Sequence, residues 1–190
     1  ALRARFTEFA GWEMPLQYKG ILEECRAVRR SAGVFDVSHM GRLEVRGRDA
    51  RALLDKTLTA SVAALPSGRA RYSLICREDG GILDDVVVYS LEPELLLIVC
   101  NAAGRIKVQQ WLSAWAVEFN YKQVTIEDIT EATAMVAWQG PHVAKAIDSL
   151  FPSASSRLRI FGCVELDLPF GRVLISRTGY TGEDGFELVL

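Results

Sequence analysis

The sequence predicts an α+β protein built of antiparallel sheets with covering helices. Three observations lead there. Apolar runs of strand length are separated by tight turns, at Asp79-Gly80-Gly81 and at Pro93, and connections that short join antiparallel neighbours. Two segments, one opening at Asp49 and one near Arg105, carry helical rather than alternating periodicity. Between residues 43 and 129 the elements fall in the order β-α-β-β-β-α-β, related to the split βαβ, ferredoxin-like plan.

Taken in order, residues 6–19 are aromatic-rich without a period, and a segment lying irregularly across a surface is expected. From Ile21 to Ala32 the residues Ile21, Leu22, Cys25 and Val28 recur at helical spacing, with Gly33 as the expected stop. Phe35, Val37 and His39 alternate as in a strand, which Arg42 to Arg46 continues with its charges outward. Asp49 suits the N-cap of a helix carrying Leu53, Leu54 and Leu58. After the break at Pro66-Ser67-Gly68, a strand at 69–76 pairs across the glycine turn with 82–89, and a third strand covers 95–100. A helix is expected over 105–118, with Ile106, Val108, Trp111, Leu112 and Trp115 on its apolar side, then a strand around 123–129. The last part holds the apolar run Met135–Trp138, a helix starting near Pro141, and strands at 163–168, 172–177 and 186–190. The expected organisation is one subdomain from residues 1–42 and 130–190, truncated at its C-terminus, and a ferredoxin-like one from 43–129. The chain starts without Met and stops inside an apolar run, so both ends are expected to be cut.

Composition narrows the function classes. Of 190 residues, 49% are hydrophobic, enough for a sizeable core. The net charge of −2 leaves no electrostatic footprint for nucleic acid. The longest apolar runs are too short to span a bilayer, and no secretory signal opens the chain, so a soluble, cytoplasmic protein is expected (mitochondrial matrix in a eukaryote). With His39 and His142 the only histidines and no CxxC pair, no zinc site can be assembled and no metal is expected. Cys25, Cys76, Cys100 and Cys163 read as buried free thiols.

Two stretches carry chemistry. In Gly80-Gly81-Ile82-Leu83-Asp84-Asp85-Val86-Val87-Val88-Tyr89, two acids sit inside a run that demands a nearly dry strand. Alternation puts Asp84 on the face of Val86 and Val88, and Asp85 on that of Val87 and Tyr89. At least one of them aims at a poorly hydrated place, where an unpaired charge is expensive. In Gly179-Tyr180-Thr181-Gly182-Glu183-Asp184-Gly185-Phe186-Glu187 a glycine-rich loop joins two strands. It lacks the Lys-Ser/Thr end of a phosphate cradle and opens no helix, so nucleotide binding is not expected.

These stretches, with Phe35-Asp36-Val37-Ser38-His39-Met40-Gly41, Val99-Cys100-Asn101-Ala102 and Gln139-Gly140-Pro141, resemble the aminomethyltransferase (T-protein) family of the glycine cleavage system. The likeness runs through most of the chain in order, and family members are considerably longer. It implies a T-protein folate-binding fold and an enzyme that moves a one-carbon unit from the aminomethyl-lipoyl arm of the H-protein to tetrahydrofolate, its co-substrate, releasing ammonia. It implies Asp84 as the catalytic carboxylate, Asn101 and Glu187 as readers of the pterin edge, and Met40, Tyr72, Val86 and Tyr180 as the walls of the pterin slot. Those residue types suit the task. One carboxylate accepts the two-donor pterin edge, a flat ring wants apolar or aromatic walls, and an anion stabilises an iminium-like cation. The alternatives at this point are another folate-dependent demethylase or one-carbon transferase on the same scaffold, and a non-catalytic folate-binding protein. The second class carries a Lys-Gly-Cys-Tyr block where this chain has Arg177-Thr178-Gly179-Tyr180.

Overall fold

The computed structural model describes residues 3–169 and 171–190. A hairpin of β1 (Arg5–Phe9) and β2 (Trp12–Gln17) opens the described chain, followed by α1 (Ile21–Arg30), β3 (Gly33–Asp36) and β4 (Gly41–Arg46). Then come α2 (Ala50–Thr57), β5 (Arg69–Cys76), β6 (Ile82–Glu92), β7 (Leu95–Cys100), α3 (Arg105–Glu118) and β8 (Thr125–Asp128). The rest is β9 (Met135–Gln139), α4 (Val143–Leu150), α5 (Ala154–Arg157), β10 (Cys163–Leu168), β11 (Gly171–Ser176) and β12 (Gly185–Val189). Among the described residues, no helix is long and apolar enough to cross a membrane.

Two five-stranded sheets form the body, ordered β10-β11-β12-β9-β3 and β5-β6-β7-β4-β8. Every neighbouring pair is antiparallel. Strand alternation gives each sheet two apolar faces. Leu43, Val45, Val86, Val88 and Ile98 of the second sheet pack under Ala50, Leu54, Val108 and Leu112 of α2 and α3. Val173, Ile175, Phe186 and Leu188 of the first pack under Val143 and Ile147 of α4. The remaining faces meet each other, with Tyr89, Leu97 and Val99 against Met135, Ala137 and Leu174. The result is helix on sheet on sheet on helix.

The chain crosses between the sheets twice, through Val37–Met40 and through residues 129–134, and one guanidinium pins both crossings. Arg42 is fully buried. It donates to the carbonyls of Ser38 (3.1 Å), Met40 (2.5 Å), Thr130 and Thr133 (3.0 Å), and its Nε to Thr133 Oγ1 (2.8 Å). Carbonyl dipoles thus replace the water a buried cation loses. Arginine's rigid fork is suited to several acceptors at once, where a lysine offers a single point of charge.

Several expectations need correction. Residues 6–19 are not irregular: they form a hairpin whose two-residue turn places Ala10 at φ 51° and Gly11 at φ 82°. Alanine seldom adopts that conformation, so the turn carries little sequence signal. The expected strand through Arg46 is broken at Val37–Met40, where the chain changes sheets, and Arg42 points inward rather than out. On α1 only Val28 is buried, and Ile21 and Leu22 are exposed. Gly33 does not stop that helix; it opens β3, where an added Cβ would meet Val28 Cγ2 at 2.6 Å. Asp49 precedes α2 without capping it, because its carboxylate accepts the Gln123 N–H at 2.8 Å. Ile106 is exposed on α3, and of the cysteines Cys25 is exposed and Cys76 half-buried.

Arg42→Ala leaves four carbonyls, one buried and three partly buried, without this donor and is expected to lower the unfolding free energy by roughly 3–5 kcal/mol. Arg42→Lys is expected to recover less than half of that. Urea titration checks both; a loss under about 1 kcal/mol for the alanine variant would mean the crossings are held by something else.

Candidate ligand site between the sheets

At one end of the inter-sheet core the two sheets part around a cavity of about 400 Å³. Its floor is apolar, from Val37, Val87, Val99 and Phe161, and its polar groups are few and convergent. Met40, Tyr72, Val86, Asn101, Tyr180 and Glu187, all singled out from the sequence, border this one space. Val86 packs its side chain into the helix-side core, so its contribution is main chain. Tyr180 stands 68% exposed at the mouth. A broader depression of about 700 Å³ lies between α3 and the β5–β6 turn, but Arg77 and Asp79 there sit largely in water and pair with each other at 3.2 Å.

Asp84 is not part of the cavity. Its side chain lies on the helix face of β6, buried, where it accepts from the Asn101 N–H (3.2 Å), Asn101 Nδ2 (2.6 Å) and the Asp85 N–H (3.0 Å). A Cβ added at Gly104 would sit 2.0 Å from Asp84 Oδ2, so the glycine makes room for this acid beside the start of α3. A negative group there also complements the helix dipole. The acid that borders the cavity is its neighbour. Asp85 accepts from Asn101 Nδ2 at 2.8 Å and from the Tyr72 hydroxyl at 3.2 Å. Partial desolvation, then the charge of Asp85, raises the Tyr72 phenol above its ordinary value, so it stays a donor at neutral pH. Asn101 borders the cavity as expected, with its amide already engaged. Both acids can only accept, so its amide protons are spent on them, and only its carbonyl oxygen remains to meet a ligand.

Glu187 is the opposite pole. Strand β12 alternates Phe186 and Leu188 toward α4 with Glu187 toward the cavity, where it is buried. Thr178 Oγ1 and the Tyr89 hydroxyl (3.3 Å) both donate to Oε2, and Ser176 hydrogen-bonds Thr178 in turn at 2.7 Å. Burial raises the carboxyl above its ordinary value, and the Thr178 and Tyr89 hydrogen bonds offset part of that. Charge is therefore held here at an energetic cost that a cationic or two-donor ligand edge would relieve.

The glycine-rich loop owes its shape to a buried glutamine. An added Cβ at Gly179 or Gly185 would come within 1.9 or 2.2 Å of the Gln139 amide. That amide donates to the Thr178 carbonyl at 3.2 Å and accepts from Thr181 Oγ1 at 3.1 Å. Arg177 closes the loop's base through two bonds to Asp184, at 2.8 and 2.7 Å. Gln139, Tyr89 and Thr178 were not singled out for the site from the sequence, because their roles depend on partners far away in the chain. The resemblance singled out Asp84 and not Asp85: strand period separates the two carboxylates, but which face meets the cavity is set by where the helices pack. His39 also borders the cavity, neutral under its burial, with Nδ1 unpartnered and Phe9 edge-on at 5.7 Å.

Comparison with known proteins bears on all of this. The profile of the GCVT N-terminal domain matches residues 1–190. The aminomethyltransferase of Thermotoga sp. strain RQ2 is 42% identical over 189 residues, covering 100% of this chain and 51% of the relative. That of Geobacillus kaustophilus is 46% identical over 186 residues, 97% of this chain and 50% of the relative. The chain thus spans about half the length of the curated relatives it matches. Among solved structures, the glycine cleavage system aminomethyltransferase T of Bartonella henselae superposes with a TM-score of 0.88 at 34% identity, over 100% of this chain and 50% of that one. A chain of the heterotetrameric sarcosine oxidase of Corynebacterium sp. U-96 (TM-score 0.60, 15% identity, 89% and 82% covered) shares the fold.

Because the folded pKa of Glu187 lies above its unfolded value, the native state holds its proton more tightly, and stability from this group falls as pH rises from the unfolded value through the folded one. Glu187→Gln, which keeps both hydrogen bonds accepted, is expected to raise the urea midpoint at neutral pH, with the gain vanishing toward about pH 4, where the free carboxyl is protonated. A lower midpoint at neutral pH would show that the charge is stabilising.

Proposed function

This chain belongs to the GCVT N-terminal domain family, and from that premise we propose that it is the folate-facing part of an aminomethyltransferase of glycine cleavage. The reading takes tetrahydrofolate as co-substrate and the lipoylated, aminomethyl-loaded H-protein as the partner that brings the one-carbon unit. It treats segments 1–42 with 130–190, and 43–129, as two subdomains sharing the cavity. The single observation that carries it is two carboxylates of opposite character in one slot: Glu187, buried and partly paired, and Asp85, hydrogen-bonded by Tyr72 and Asn101.

A reduced pterin suits that slot on chemical grounds. Its 2-amino group and ring N–H present two donors in one plane, which the Glu187 carboxylate accepts, with its Oε2 already oriented by Thr178 and Tyr89. Its flat ring fits between apolar Val87, Val99 and Met40 and the phenol rings of Tyr72 and Tyr180. The Asn101 carbonyl oxygen is the acceptor left at the polar rim. When bound, tetrahydrofolate supplies the two nitrogens that take up the one-carbon unit.

The chain's own part is electrostatic and positional. Transfer develops positive charge on the departing aminomethyl carbon and nitrogen, and the Asp85 carboxylate meets that charge with a fixed negative one. Asn101 and Tyr72 hold the carboxylate still, so little reorganisation is needed as the charge appears. Asp85 also lies where it can take the proton released when an amine nitrogen of the acceptor forms its new bond. Asp84 acts one layer back: it fixes Asn101, and through Asn101 it orients Asp85, which makes it a positioning residue.

In the full-length polypeptide, Asp85→Asn is expected to lower kcat for methylenetetrahydrofolate formation from aminomethylated H-protein by roughly a hundredfold or more. Calorimetric affinity for tetrahydrofolate should stay within a few-fold. Asp84→Asn is expected to lower the melting temperature and to leave more of kcat than Asp85→Asn does. If Asp84→Asn abolishes turnover at unchanged stability while Asp85→Asn is active, the roles assigned to the two acids are reversed; if no product forms with the wild-type protein, the reading fails.

A further inference from the structure

A second cavity, of about 560 Å³, lies on the other side of the first sheet. It is enclosed by the α4–α5 connection, the segment leading to β10, and the start of β5, and its lining shares no residue with the inter-sheet slot. Its walls include Phe151, Leu158, Leu166 and Leu168, which extend the core under α4 and α5 outward to the surface. Leu150 and Val164, also in the lining, are 62% and 39% exposed. Apolar walls of this size fall in the range of small-molecule sites.

What sets this cavity apart is its charge. Arg69, Arg157 and Arg159 all line it. Among the described residues none of the three takes part in an ion pair. The acids close by are already engaged. Glu165 pairs with Arg172 at 3.5 Å and Asp184 holds Arg177, while Asp148 has both oxygens turned onto the Ser155 N–H and hydroxyl and forms no ion pair among the described residues. Arg177 itself shows what a satisfied guanidinium looks like here, with two bonds to a carboxylate and two to the carbonyls of Ser155 and Leu158. Three arginines border one apolar space with no carboxylate partner among the described residues, and an anion seated there would supply one.

We propose that this cavity is a second binding site, for a small carboxylate carrying an apolar chain. The head group answers the three guanidinium forks, which match a carboxylate's geometry. The chain answers the leucine and phenylalanine walls. A bare inorganic anion would leave those walls wet, and a neutral hydrocarbon would leave the arginines unpaired, so neither fits as well. The site does not depend on the folate reading, since it uses none of the same residues.

The test is a fluorescence titration of the purified protein with a dansyl-labelled undecanoate. Saturable one-to-one binding is expected, reversed by laurate below its micelle concentration and not by dodecanol. Arg157→Gln with Arg159→Gln, both at exposed positions, should weaken binding at least about tenfold, one charge-assisted hydrogen bond being worth that much. Saturating tetrahydrofolate should not displace the probe. No saturable signal, equal displacement by the alcohol, an unchanged affinity in the double variant, or displacement by tetrahydrofolate would each overturn the proposal. A protein that takes the probe but not the folate would fail the folate reading alone.

Discussion

Everything about the inter-sheet slot depends on two sheets staying in register at the places where the chain passes from one to the other. Both crossings are short, and both would otherwise bring bare carbonyl groups into the core. Arg42 resolves that in one stroke, donating to four main-chain carbonyls from a fully buried position. Its own strand β4 is hydrogen-bonded to β7 and β8, so the guanidinium is anchored to the second sheet while gripping segments that lead into the first. Val37 and Met40, at the edge of the slot, belong to one of the gripped segments. The position of the cavity wall is thereby coupled to the packing of the core.

The slot in turn shows how a fold holds charge where it is costly. Glu187 is buried at one pole and kept by two hydroxyl donors rather than by a cation. Asp85 sits at the other pole, in contact with water, and is aligned by an amide and a phenol. The two acids differ in character, one buried and one open to water, and the difference comes from where the fold places them, not from residue type. Arg177 and Gln139 stabilise the glycine loop that carries Tyr180, so the slot's mouth is held by polar contacts and its floor by apolar ones.

The acid pair on β6 shows how closely neighbouring residues can divide labour. Asp84 and Asp85 are adjacent, yet the first sits beneath α3 against Gly104 and the second faces the first sheet. Asn101 bridges them with one amide group, at 2.6 and 2.8 Å. The bridge runs past the C-terminal end of β7 and links the helix layer to the slot.

Much of this was legible from residues alone. Periodicity of 2 and 3.6 located the strands and helices of 43–129 in the right order, because core burial enforces those periods directly. Glycine and proline placed the β5–β6 turn, with Gly80 at φ 83°, since few other residues accept that backbone. Period 2 also guaranteed that Asp84 and Asp85 face opposite ways. What no local pattern contained was which way is inward toward the slot, since that depends on which face of the sheet the helices cover. The same holds for Arg42, whose charge argues for water until the carbonyls of residues 38, 40, 130 and 133 converge on it, and for Gln139, whose partners lie about forty residues on. Local sequence determines the elements because the chain's own stereochemistry does; the site is decided by contacts between residues far apart in sequence, and those exist only once the sheets have packed.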